Sequence, residues 1–326
     1  MALPVSVSWR DGVHITGTPI WCDARRARDV CFVSHGEAVR IARHGQLVAT
    51  SETLSLLARS DARRQAETVL AVPYGRPFTL GTRRLELFPS GHAIGAASLL
   101  VDIDGHRIVY AGPVHPRGGG LGGPAALRAC QTLVVDARYG DRRYSFPDLA
   151  DVAGEVAAHC RTTIDRGGCA VLVVASSSLG LDVCSQLEPL RPIAHRAIHR
   201  AARRFTDRDG VPSVRRFSGT ARGGDVIVWP VAARDALDRI ELPAGSSRVL
   251  LSGDALDPSS LQTARVDAAF PWTNEADYRA LLDYIDATGA ERLYFTNRHG
   301  ETLARETHRA TRPARALGPP VQMNLF

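Results

Sequence analysis

The chain has 326 residues, 44% of them hydrophobic and 23% charged, which excludes a largely disordered polypeptide and is enough for two compact units or one unit with an insertion. No apolar run reaches the roughly 18–20 residues that a membrane span needs, and Met1 to Arg10 lacks a basic head followed by an apolar stretch, so the expected address is the cytoplasm, with no membrane partner. Basic residues number 40 against 34 acidic ones, for a net charge of +6, and all the basic ones are Arg, whose planar guanidinium keeps its charge and suits phosphate, so a polyanionic partner is permitted.

The first 140 residues read as short strands joined by tight turns. Val5 to Trp9 and His14 to Thr16 flank Asp11-Gly12, a hairpin signal. Val30 to Val33 and Leu47 to Thr50 are strand candidates, and Ser51 is placed to cap a helix from Glu52 to Arg59. Leu85 to Phe88, Ser98 to Ile103 and Arg107 to Ala111 follow, the last two joined by Asp104-Gly105, and Thr132 to Asp136 has the composition of a buried strand.

From about Asp148 the pattern changes. Val152, Val156 and Cys160 mark a helix from Leu149 to Asp165, and Gly167-Gly168 ends it. Cys169 to Ala175 is a strand, followed by Ser176-Ser177-Ser178 and another helix. Val226 to Trp229 and Arg248 to Ser252 supply further strands, a parallel α/β alternation. A helix from Glu275 to Thr288 leads to the strand Arg292 to Thr296, and the Pro-rich segment from Pro313 reads as extended. The six cysteines, Cys22, Cys31, Cys130, Cys160, Cys169 and Cys184, form no C-x-x-C pair and sit mostly in apolar runs, as buried reduced thiols do.

The informative segment is Phe32-Val33-Ser34-His35-Gly36-Glu37-Ala38-Val39-Arg40. A strand ending in Ser-His before a polar loop resembles the metal-binding turn H-x-H-x-D-H of the metallo-β-lactamase superfamily. Ser90-Gly91-His92 resembles that superfamily's next His segment, and Tyr110-Ala111-Gly112-Pro113 its Y-T-G-D. Asp136-Ala137-Arg138-Tyr139-Gly140 is similar to the E-A-T-Y-G signature of the β-CASP branch, whose members process nucleic acids. Ser178-Leu179-Gly180, Thr273-Asn274-Glu275-Ala276-Asp277 and Thr296-Asn297-Arg298-His299-Gly300 resemble its later segments in order.

The resemblance covers nearly the whole chain. It implies an α/β fold, a metallo-β-lactamase αβ/βα sandwich formed by residues 1–166 and 257–312, with a β-CASP-like α/β insertion at 167–256 and an extended tail at 313–326. In the family, seven positions ligate two metals that activate water and clamp phosphate. Here they read His35, Glu37, Val39, Arg40, His92, Pro113 and His299. Val39 and Pro113 offer no side-chain donor, and Arg40 brings a fixed positive charge to the second metal's place. The two-metal mechanism is therefore expected to be lost, leaving a pseudoenzyme.

Two alternatives stay open. His35, Glu37 and His92 would make a one-metal phosphodiesterase, with His299 as a remnant and at most one zinc or manganese ion; or the histidines hydrogen-bond within the old pocket and no cofactor is held. Asp23, Glu37 and Glu275 are the candidate catalytic side chains; Asp23 and Asp136 match the family's acidic orienting positions. Whether a more distant side chain such as His115, two residues past Pro113, repairs the metal site is left open by the sequence.

Nucleic-acid contacts are expected from Arg40, which would take a phosphate oxygen or else pair with Glu37 or Asp23. They are expected also from Ser177 and Ser178 at a helix start, and from Arg196, Arg200, Arg203 and Arg204, which recur at helical spacing beside Ala and Ile. Gly118 to Gly123 reads as a flexible loop. The end of the chain, Gln322-Met323-Asn324-Leu325-Phe326, resembles the pentapeptide that docks on bacterial sliding clamps, with Gln322, Leu325 and Phe326 as anchors. A clamp contact would favour DNA over RNA as the partner, beside an active nuclease, ligase or helicase. A module that binds only partner proteins, its old cleft closed, is the remaining alternative.

Overall fold

The computed structural model describes residues 6–37, 42–57, 66–118, 120–259, 265–309 and 311–319. The fold is α/β, and the chain divides into two compact units: Met1–Gly118, Gly122–Arg142 and Glu275–Phe326 form the first, and Gly119–Leu121 with Arg143–Asn274 the second. The second unit is wider at both ends than the expected 167–256.

The first unit begins with β1 (Val7–Trp9), β2 (Val13–Ile15), β3 (Ile20–Cys22), β4 (Val30–Phe32) and β5 (His44–Ala49), then α1 (Ser51–Leu57) and β6 (Ala66–Ala71). These six strands form one sheet in sequence order. The β1–β2 turn uses Asp11 at φ 57° and Gly12 at φ 147°, as the Asp-Gly pair implies. The cap of α1 is Thr50, whose hydroxyl accepts from Thr53 N at 3.1 Å, rather than the expected Ser51.

The chain continues through β7 (Phe78–Leu80), β8 (Arg83–Pro89), β9 (Ala97–Ile103), β10 (His106–Gly112) and β11 (Thr132–Asp136). It then builds the second unit from α2 (Leu149–Asp165), β12 (Ala170–Val174), α3 (Ser177–Gln186), β13 (Ile193–Ala194), α4 (Arg196–Ala202), β14 (Arg215–Arg216), β15 (Val226–Pro230), α5 (Arg234–Leu237), β16 (Ser247–Leu251) and β17 (Ala268–Phe270). It returns to the first unit with α6 (Tyr278–Thr288), β18 (Arg292–Thr296), α7 (Gly300–Thr307) and β19 (Ala314–Ala316).

The second sheet of the first unit runs β19-β18-β11-β10-β9-β8-β7. Its β10, β11, β18 and β19 are mutually parallel, while β7 to β10 form an antiparallel meander. One apolar core joins the two sheets, with Val13, Ile15, Ile20 and Phe32 from the first against Leu87, Leu99, Val101 and Ile108 from the second. The other face of the second sheet, through Val109, Leu133, Val135 and Phe295, packs on Leu281, Tyr284 and Ile285 of α6 and Leu303 of α7. The other face of the first sheet meets α1 through Cys31, Leu47, Leu54 and Leu57. The layers are therefore helix, sheet, sheet, helix.

Helix α6 starts three residues later than its apolar spacing suggested. Asp277 Oδ1 accepts from Ala280 N at 2.7 Å and caps it, and Gly289 in the left-handed region ends it. Residues 314–317 are tied to the sheet, because β19 pairs with β18 and Leu317 N donates to Phe295 O.

In the second unit a sheet of order β14-β13-β15-β12-β16-β17 is parallel throughout. All five residues of β12 are buried, which is why it reads as an uninterrupted apolar run. Helix α2 belongs to this unit: its His159 Nε2 lies 2.9 Å from Ser247 Oγ at the start of β16. Strand β17 extends the same sheet, and together these account for the wider boundaries. The Gly-rich loop is held as well: Leu121 N donates to buried Asp182 at 2.7 Å. All six cysteines are buried free thiols. No helix among the described residues is long and apolar enough to cross a membrane.

Candidate functional site

The strands of the first unit deliver chemistry at their carboxyl ends, where α/β sheets commonly bind ligands. A cleft of about 520 Å³ opens there. It is lined by Asp23 after β3, His35 and Glu37 after β4, His92 after β8, Pro113 after β10, Asp136 at the end of β11, and Asn297 after β18. Glu275, Arg25, Arg138 and Arg298 line it too, and Leu317 to Pro319, just past β19, complete the wall. His35, Glu37, His92, Asp23 and Glu275 thus line one cleft. His299 is not among the lining residues; its Nδ1 lies 3.9 Å from Asp141 Oδ2.

Asp23 is held by three donor groups. It sits at φ 47°, a left-handed conformation that Asp tolerates better than most residues. One carboxylate oxygen accepts Ser34 N at 2.8 Å; the other accepts Ser34 Oγ at 2.6 Å and Tyr110 OH at 2.8 Å. Burial nevertheless raises its pKa above the usual carboxylate range, against the pull of these donors. Ser34 Oγ also lies 2.8 Å from His35 Nδ1. With the hydroxyl proton given to Asp23, Nδ1–H is the donor to Ser34, and Nε2 carries the lone pair.

His35 and His92 pack edge to face, with ring centroids 4.9 Å apart. Burial and then the His92 charge hold His35 well below the usual imidazole pKa. His115 is lowered to about 4 by burial and by His92. The turn that delivers His92 needs Gly91, at φ 78°, because a side chain there would run into the carbonyl of His115.

Across the cleft, Asp136 and Glu275 interact. Burial and the Glu275 charge push the Asp136 carboxyl up to about 7. Asp136 accepts from Arg138 N at 2.8 Å and from Asn297 Nδ2 at 3.2 Å, and the Arg138 guanidinium lies 3.6 Å from Glu275. Asn297, like Asp23, has a positive φ, 72°. Among the described residues no group of three His, Cys, Asp or Glu is placed to hold a metal ion. Pro113, in the wall of this cleft, supplies no side-chain donor.

Arg40 and the anchors Gln322, Leu325 and Phe326 lie outside the described residues. In the second unit, Ser176 caps α3 by accepting from Leu179 N at 3.0 Å, so Ser177 and Ser178 form the first helical turn, half-buried. Helix α4 buries Ala197, Ile198, Ala201 and Ala202 and exposes Arg196 and Arg200, with Arg203 and Arg204 exposed just beyond, as the spacing predicted. The roles of Ser34, Tyr110, Arg138 and Asn297 were not read from the sequence. Each stands inside a motif segment, but its partner is elsewhere: Tyr110 and Asp23 are 87 positions apart.

No protein-family model matches the chain. A curated protein of Opitutus terrae named "Probable DNA ligase" is 28% identical to it over 332 residues, covering 99% of this chain and 32% of that protein. The chain spans about a third of the length of this curated relative.

Proposed function

We propose that this chain is a catalytically degenerate relative of the β-CASP nucleases, a pseudoenzyme that binds DNA and works beside a DNA-processing enzyme. The observation that carries the reading is Pro113, which lines the cleft without a side-chain donor beside acids that are held by protein groups. Asp23 is taken up by Ser34 and Tyr110, Asp136 by Arg138 N and Asn297, and Glu275 faces Arg138. Pro113 stands where the resemblance puts the bridging Asp. Asp23 and Asp136, at the family's orienting positions, are held by protein donors as such groups are, while Pro113 gives the cleft no carboxylate between them.

The name of the Opitutus protein supports DNA as the partner, because nearly all of this chain aligns to a third of a protein called a DNA ligase. Recruitment to a sliding clamp through Gln322, Leu325 and Phe326, in company with a ligase, helicase or active nuclease, belongs to the same proposal. The basic α4 ridge supplies phosphate contacts that require no metal.

The test is elemental mass spectrometry of protein purified without chelator and re-exposed to zinc or manganese. The expected result is far less than one ion per chain, with labelled DNA left uncut. One ion per chain, lost in His35→Ala or His92→Ala and accompanied by cleavage, would instead establish a one-metal phosphodiesterase at His35, Glu37 and His92.

A further inference from the structure

A second cavity, of about 670 Å³, lies wholly within the second unit at the carboxyl ends of β13, β14 and β15. Its size falls in the range of roughly 300–1,000 Å³ typical of small-ligand sites. Its walls are His195, Arg196, Arg216, Phe217, Ser218, Gly219, Trp229, Ala236 and Ile240. None of these is acidic, whereas the cleft of the first unit mixes Asp23, Glu37, Asp136 and Glu275 with its arginines.

Three rings form one aromatic wall. The His195 ring lies 4.5 Å from Trp229, and Phe217 meets Trp229 edge-on at 5.5 Å. The indole is fixed because Trp229 Nε1 donates to Ala233 O at 2.9 Å. The backbone places the wall by the sheet itself: His195 N donates to Val228 O and Phe217 N to Ala194 O. Trp229 and Phe217 are buried, and half-buried His195 is the most accessible of the three rings. Arg196 and Arg216 are exposed on the same cavity. Gly219, at φ 109° with open space where a side chain would be, leaves the rim low.

An imidazole face backed by two buried aromatic rings, flanked by guanidinium groups and with no carboxylate in its walls, matches one ligand chemistry: an aromatic base attached to phosphate. Bases stack on such rings with little regard to sequence, and Arg pairs with phosphate oxygens. We infer that this cavity of the second unit is a nucleotide-binding subsite for single-stranded DNA, with the base against His195 and the flanking phosphates on Arg196 and Arg216. The inference rests on the DNA-binding reading and adds to it a site distinct from the cleft of the first unit.

The experiment uses the full chain and a ten-nucleotide oligodeoxythymidine carrying one 5-iododeoxyuridine. Photocrosslinks are mapped by mass spectrometry, and affinity is read by anisotropy for the wild type, the double variant Arg196→Glu/Arg216→Glu, and Arg215→Glu. Arg215 is an exposed neighbour that does not line the cavity. Crosslinks at His195 are expected, with about a tenfold loss of affinity in the double variant, the scale of two lost phosphate contacts, and less than twofold in Arg215→Glu. Binding that persists with crosslinks elsewhere, or that falls equally in both variants, overturns the subsite and leaves the DNA reading standing. No binding by the wild type overturns the DNA reading itself, and the subsite with it.

Discussion

Asp23 holds Ser34 twice, taking the backbone N–H at 2.8 Å on one carboxylate oxygen and the hydroxyl at 2.6 Å on the other. This double contact ties the end of β3 to the end of β4 and orients His35 through Ser34 Oγ. Ser34→Ala removes the hydroxyl from a buried network and should cost about 1–3 kcal/mol. Asp23→Asn keeps the left-handed backbone but turns an amide donor toward Ser34 or Tyr110, with a cost on the same scale. Urea denaturation measures both; a change under about 0.5 kcal/mol in either would mean the network contributes little.

The Asp136–Glu275 pair predicts a pH dependence. The folded-state pKa of Asp136, about 7, lies above the roughly 4 of a free carboxyl. Between these values the folded protein keeps a proton that the unfolded chain has released. The stability linked to this group is therefore fully present below about pH 4 and is lost as pH rises to about 7. Asp136→Asn should flatten that slope, so that its melting temperature gains on the wild type between pH 5 and pH 8. Thermal melts across that range check it, and an unchanged slope would contradict it.

The exposed arginines at α4 predict a salt effect. Each phosphate contact contributes about 0.9 to the slope of log affinity against log salt on duplex DNA, and about 0.7 on a single strand. Changing Arg196, Arg200 and Arg203 together to Glu should reduce the slope by about 2–3 and weaken binding at low salt. Anisotropy titrations at several salt concentrations measure this. An unchanged slope would make the ridge a solvated face and nothing more.

The contact at Gly120 is steric. A Cβ there would sit 2.7–2.8 Å from the Asp182 carboxylate, which is buried and accepts Leu121 N. Gly120→Ala should destabilise by about 1–3 kcal/mol, and Asp182→Ala by a similar amount through the lost acceptor. Because both act on one contact, the double variant should cost less than the sum. Full additivity in denaturation experiments would show that the two do not interact.

The local signals in the sequence translated well where a single residue type decides the backbone. Asp11-Gly12 and Asp104-Gly105 make the turns they suggest, and β11, α2 and β18 occupy the spans their apolar patterns mark. What could not be read depends on partners far along the chain. The two-residue strands β13 and β14 exist through pairing alone, and β19 appears because Ala314 to Ala316 finds the edge of β18. The domain boundary was misplaced because α2 and β17 declare their unit only through contacts with β16. At the cleft, motif order brought His35, His92, Asp23 and Glu275 together. That Asp23 would spend its oxygens on Ser34 and Tyr110, and Asp136 on Asn297, required the folded chain.

The most direct measurement of the central claim is an anisotropy titration of end-labelled single-stranded DNA with full-length protein, in chelator and then in zinc or manganese, with the DNA sized on a denaturing gel afterwards. The expected result is binding of equal strength in both conditions, with DNA recovered at full length. Shortened products that form only with metal, or no binding in either condition, would contradict it.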